Sequence, residues 1–156
     1  MESVRFEKFT LLIGGIHKCI HKMKIDTVSE FGIKSVHVFW LYQLLRHPEG
    51  LTSAEIAAGS MVDRSLVCRE LEMLRKSGFI DIENSDAGKK RVYNARITLT
   101  ERGIDLASRI ADEVVKVQEI ADAGITAEEL EIFYSTLEKL HRNFVALTTP
   151  TGKRNI

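Results

Sequence analysis

The chain has 156 residues, 44% hydrophobic and 28% charged, an ordinary globular balance that excludes wholesale disorder. Net charge is zero, yet residues 104–150 hold four basic and nine acidic side chains, against seven and five in residues 1–50 and nine and eight in residues 51–103. An acidic C-terminal segment thus masks a more basic front, and bulk charge neither demands nor excludes a nucleic-acid partner.

From Val4 to about Lys24, Phe6, Phe9, Ile13, Ile16, Ile20 and Met23 recur at spacings of three and four, which predicts an amphipathic helix. Gly14-Gly15 weakens it by roughly 1 kcal/mol per glycine relative to alanine and invites a kink. A second helix, about Ile33 to His47, is apolar on most sides through Val36, Val38, Phe39, Trp40, Leu41, Leu44 and Leu45. A helix of that kind is buried among others, so this one is expected to be the hub of the fold. His-Pro-Glu-Gly at 47–50 stops it.

Thr52 opens a short third helix, with Glu55 three residues on completing a capping-box pattern and Gly59 near its end. Asp63 is a good N-cap for a fourth helix that runs to about Ser77, with Gly78 closing it. Val67, Leu71 and Leu74 mark its buried side, while Arg64, Ser65, Cys68, Arg69 and Glu72 project to the other. The period then changes to two: Ile80 and Ile82, then Tyr93, Ala95, Ile97 and Leu99, flank a loop containing Gly88 and predict a β-hairpin. Thr100 caps a fifth helix with Leu106, Ile110, Val114 and Val117 as its stripe. Thr126 and Glu129 begin a sixth, striped by Leu130, Phe133, Leu137, Leu140 and Phe144.

The expected fold class is mainly α with a small β-hairpin wing: a winged helix-turn-helix joined to a helical dimerisation region. A single domain of residues 1–156 is read, with the winged helix-turn-helix at about 33–99, the dimerisation helices at 1–32 and 100–148, and a loose tail at 149–156. The stripes of the first, fifth and sixth helices exceed what so small a winged domain can bury, so they are expected to bury each other across a homodimer. Phe9, Ile13, Leu130, Phe133 and Leu137 are the candidates for that interface.

Chemical motifs are sparse. There is no phosphate loop, dinucleotide fingerprint or nucleophile elbow, and the chain reads as a non-enzyme without a cofactor. Cys19 and Cys68 supply neither a disulfide framework nor a four-ligand zinc site. No apolar run approaches the roughly 18 residues that cross a membrane, and Glu2 and Glu7 break the order of a signal peptide. A cytoplasmic protein with reduced thiols and no membrane partner is the expectation.

The run GLTSAEIAAG…VDRSLVCRELEMLRKSGFIDIE…RITLTERG resembles the MarR family of bacterial winged-helix transcription regulators. Its marks are Leu51-Thr52 before Glu55-Ile56-Ala57, the fourth helix ending in LEMLRKSGFI, and Leu99-Thr100-x-x-Gly103 after the wing. The resemblance spans nearly the whole chain. It implies a sequence-specific regulator, usually a repressor, that binds double-stranded DNA at an inverted repeat as a homodimer. Relatives are released from DNA by small aromatic or lipophilic effectors, by oxidants or, in a few, by zinc, and the effector cleft lies near the second helix. Two departures stand out. The family's wing often carries Asp-x-Arg where this chain has Arg91-Val92-Tyr93, and its recognition helix usually opens with Ser or Thr where this one has Asp63.

A recognition helix presents its N-terminal side chains to base edges in the major groove. Arg64 and Arg69 suit guanine, and Ser65 suits a base or a phosphate. Spacing alone fits a solvated face equally well, and the resemblance favours DNA. Cys68 shares that face. Lys89, Lys90 and Arg91 at the wing give a positive prong for phosphates or a minor groove. Thr52 and Ser53 start a helix whose backbone N–H groups can meet a phosphate. His17 and His21 lie one turn apart, but two ligands make no zinc site. Cys19 lies between them near Lys18 and Lys22, the candidate thiol if the chain is a redox-sensing member. His37 and Trp40 read as core residues. The alternative from another class is a winged helix turned protein-interaction module without DNA binding.

Overall fold

The structure, a computed structural model, describes residues 2–83 and 95–148. The chain divides into two compact units, Met1–Val115 and Lys116–Ile156.

In the first unit, α1 (Glu2–Val28) runs unbroken through Gly14-Gly15, where a kink was expected, and extends four residues beyond the forecast end. A 3-10 turn, Ser29–Phe31, with Gly32 in the left-handed region, turns the chain into α2 (Ser35–Arg46). The hub role of α2 is borne out by Trp40 and Leu41, both 0% exposed, with His37, Val38 and Leu44 also buried. Burial is not complete all round: Val36 and Leu45 are half-buried and Phe39 is 38% exposed, with the Lys24 ammonium 5.9 Å from its ring centroid.

The α3 helix (Ser53–Ser60) starts with the reciprocal bonds of a capping box, Glu55 N–H to Thr52 Oγ1 and Thr52 N–H to Glu55 Oε2. Gly59 lies inside this helix. A Cβ there would meet only the end of the flexible Gln43 side chain of α2, and Met61 at φ 55° makes the turn. Asp63 caps α4 (Arg64–Lys76), and Gly78 at φ 74° ends it as the sequence predicts. Val67, Leu71 and Leu74 enter the core with Ile56, Phe79 and Ile80.

The strands β1 (Ile80–Ile82) and β2 (Ile97–Leu99) pair antiparallel, Ile80 opposite Leu99 and Ile82 opposite Ile97. Leu51 bridges the other edge of β2, exchanging backbone hydrogen bonds of 3.0 and 2.9 Å with Ile97, a pairing the alternation did not reveal. α5 (Glu101–Ala121) begins at Thr100, whose hydroxyl accepts from the Gly103 N–H and donates to the Gly78 carbonyl. Its buried residues are Gly103, Leu106, Ala107 and Ile110.

The second unit contains the end of α5 and α6 (Ala127–Thr148). Thr126 and Glu129 form the expected capping box at 2.8 and 3.2 Å. None of the residues of α6 is buried. No helix among the described residues is long and apolar enough to cross a membrane.

Candidate nucleic-acid interface

The N-terminal part of α4 shows one apolar and one polar face because Val67, Leu71 and Leu74 lock its rotation. Arg64, Ser65, Cys68 and Arg69 are all exposed on the side the core leaves open. Arg69 thus projects a cation from the second turn of the helix. Asp63, one residue before the helix, turns its carboxylate to the helix end: Oδ1 accepts from the Ser65 N–H at 2.7 Å and from the Ser65 hydroxyl. These bonds, that of the hydroxyl first, hold the Asp63 carboxyl below its ordinary range, and the Arg69 charge adds to the effect. Asp63 is therefore an ionised cap. Ser65 is engaged by it, which limits the free hydroxyl that the sequence offered.

At α3 the capping box engages one of the candidate groups. The Thr52 N–H and hydroxyl both donate to Glu55 Oε2, at 2.7 and 2.8 Å, so a phosphate at the Thr52 amide would compete with that carboxylate. The Glu55 carboxyl is held below its ordinary range, by the Thr52 backbone bond first and its side-chain bond second. The first-turn N–H of Ser53 is one that helix geometry leaves without an intrahelical acceptor. Any anion approaching it meets the Glu55 charge nearby.

Arg96, just before β2, was missed by sequence reading. Its Nη1 donates to the Gly50 carbonyl at 2.9 Å and lies 3.4 Å from Glu55 Oε2, tying the wing base to the start of α3. The available signal was a basic residue at the edge of the alternating run that leads into β2. Lys89, Lys90 and Arg91, together with Val92 and Tyr93, lie outside the described residues.

A second missed group lies behind α4. Glu70 is only 7% exposed, and its carboxylate meets two partners from the start of α2: Lys34 Nζ at 2.7 Å and His37 Nε2 at 3.0 Å. The other ring nitrogen, His37 Nδ1, accepts from the Lys34 N–H at 3.1 Å. Trp40 packs beside the ring, centroids 5.6 Å apart, and donates from Nε1 to Ser60 Oγ at 2.8 Å. Glu70 is three residues after Val67 and four before Leu74, so its register already placed a carboxylate on the apolar face.

His17 and His21 stack edge to face with centroids 6.4 Å apart, and no cluster of three or more metal-ligating side chains occurs among the described residues. The two histidines line a cleft of about 170 Å³ with Ile20, Lys24, Ser35 and Val36. Cys19 and Cys68 are both exposed free thiols. Of the candidate interface residues, Phe9, Leu130 and Leu137 are half-buried, whereas Ile13 and Phe133 are 38% and 46% exposed.

No family model matches the chain. Among solved structures, a MarR-family transcriptional regulator from Listeria monocytogenes complexed with 26mer DNA superposes with a TM-score of 0.76 at 21% identity, covering 92% of this chain and 95% of that one. The Staphylococcus aureus MepR–DNA complex gives 0.73 at 20% identity, with 85% and 94% covered. Staphylococcus aureus MarR in complex with salicylate and kanamycin gives 0.69 at 20% identity, with 93% and 95% covered. At these identities the likeness establishes the fold alone: the chain has the winged-helix fold of these MarR-family structures.

Proposed function

We propose that the protein is a sequence-specific DNA-binding transcriptional regulator, acting as a homodimer on an inverted repeat, with repression relieved by a small effector. The observation that carries this reading is the exposed face of α4. A helix anchored by Val67, Leu71 and Leu74 offers Arg64, Cys68 and Arg69 to solvent, in a fold whose solved relatives include two bound to DNA. Arg69 is assigned to base edges, with Arg64 beside it. Ser53 and the wing residues Lys89, Lys90 and Arg91 are assigned to the backbone or a minor groove. Arg96 holds the wing base in place for them. The salicylate-bound relative supports an effector of small aromatic type for this chain as well.

The test is a titration of duplex DNA at several salt concentrations, followed by sequencing of the fragments that the purified protein selects from a random pool. DNA binding releases counterions, so affinity for any duplex should fall linearly in log–log form with salt. Selected fragments should share a two-fold symmetric motif. Failure to bind duplex at any salt concentration would leave the protein-interaction reading in its place.

A further inference from the structure

We propose that His37 and Lys34 brace Glu70 to set the recognition helix α4 on α2, and that protonation of His37 releases the brace and weakens sequence-specific DNA binding. The inference rests on α4 being the recognition helix.

The hydrogen bonds define the protonation state of the ring. His37 Nδ1 accepts from the Lys34 N–H at 3.1 Å, so the ring proton sits on Nε2 and points to Glu70 Oε2, 3.0 Å away. A second proton on Nδ1 would set N–H against N–H. A charged ring must therefore give up the bond that ties it to the first turn of α2. The ring cannot meet water in place, being 1% exposed and flanked by Trp40.

Among the described residues, the charged groups acting on this ring are Glu70 from α4 and Lys34 from the start of its own helix. Glu70 favours the charged ring and Lys34 opposes it, but burial is the largest influence and holds His37 below its ordinary value. An unfolded chain takes up this proton near pH 6.5, whereas the folded ring resists it. The stability contributed by the neutral ring is thus full above about pH 6.5 and is lost as pH falls from there toward the folded value. Glu70 is held below the ordinary carboxylate range, by the Lys34 hydrogen bond first, so it stays ionised while His37 titrates.

The consequence for DNA follows from position. Glu70 adjoins Arg69 in sequence, so its anchor helps set the direction in which Arg69 leaves the helix. The expected pH response also has a distinctive sign. A general gain of positive surface charge on acidification would tighten a phosphate contact. The brace predicts the reverse, confined to the sequence-specific contact.

The full chain is titrated at fixed salt from about pH 8 down to about pH 5, so that the range below the ordinary imidazole value is covered, with a duplex selected from a random pool and with a mixed-sequence duplex. Affinity for the selected duplex should fall several-fold on acidification, while the mixed-sequence duplex is unchanged or bound more tightly. His37→Gln keeps an N–H for Glu70 and cannot titrate, so it should remove the pH dependence. Should that variant fail to fold, Glu70→Gln removes the carboxylate that favours a charged ring and should shift the loss to lower pH. Nitrogen-15 NMR of the free protein should find His37 as the Nε2–H tautomer, with amide exchange in α4 rising as the ring protonates. A ring already charged at neutral pH, an Nδ1–H tautomer, or equal pH dependence in wild type and His37→Gln would overturn the proposal. If no duplex bound at any pH, the DNA reading would fall separately, and the tautomer and α4 exchange would still decide the brace.

Discussion

At the scale of single residues, the proposed interface separates reading from holding. Arg69 stands exposed on the second turn of a helix whose rotation is fixed, which suits bidentate contact with one base. Replacing it by Ala is expected to cost roughly 1–3 kcal/mol on a selected duplex and little on mixed sequence. Replacing Lys89 and Lys90 together should weaken both duplexes alike and lower the salt slope by about one unit per lost contact. Titrating both duplexes at several salt concentrations checks the pair of expectations. Loss of specificity in the wing variant, with only general weakening in Arg69→Ala, would reverse the two roles. Cys68 gives an independent reading of the same face. Alkylation of its exposed thiol should block DNA sterically, and Cys68→Ser should be immune. With Cys68 replaced, peroxide then tests Cys19: a thiol-reversible loss of binding would establish it as the sensor, and unchanged affinity would remove that role.

At the scale of elements, the junction from wing to α5 shows why one short motif was informative. Leu99 pairs with Ile80, Thr100 caps α5 while its hydroxyl also donates to the Gly78 carbonyl, and Gly103 lets the helix lie directly on the backbone of Phe79. A Cβ at Gly103 would collide with that carbonyl, which belongs to the backbone and has no rotamer by which to yield. Gly103→Ala is accordingly expected to destabilise the fold by roughly 3 kcal/mol, at the upper end of overpacking costs. A denaturant midpoint unchanged from wild type would contradict this packing. Local signals of this kind were legible in sequence: Thr52, Asp63, Thr100 and Thr126 all cap the helices they were expected to cap. Non-local ones were not. The Leu51–Ile97 bridge joins residues 46 positions apart, and Arg96 and Glu70 find partners on other elements that no periodicity can name.

At the scale of the whole molecule, the question is what covers the apolar side chains of α1 and α6. Leu12, Ile13, Ile16 and Ile20 are exposed on α1, and Ile132, Phe133 and Phe144 on α6, where no residue is buried. Most helices in proteins owe their stability to the packing of an apolar face, and isolated helices are marginal in water. α6 carries its stripe at regular spacing from Leu130 to Phe144, so its sequence is written for a partner surface. A second copy of the chain is the partner proposed, because both helices repeat in it and a two-fold interface brings like faces together. Folding should then be coupled to association. Sedimentation should find a dimer at micromolar concentration, and the melting temperature should rise with protein concentration, as mass action requires when only the assembled form is stable. Phe133→Asp places a charge within the proposed interface and should shift the chain toward unfolded or monomeric species. A stable, folded monomer of the wild-type chain at micromolar concentration, melting at a temperature independent of concentration, would refute the coupling.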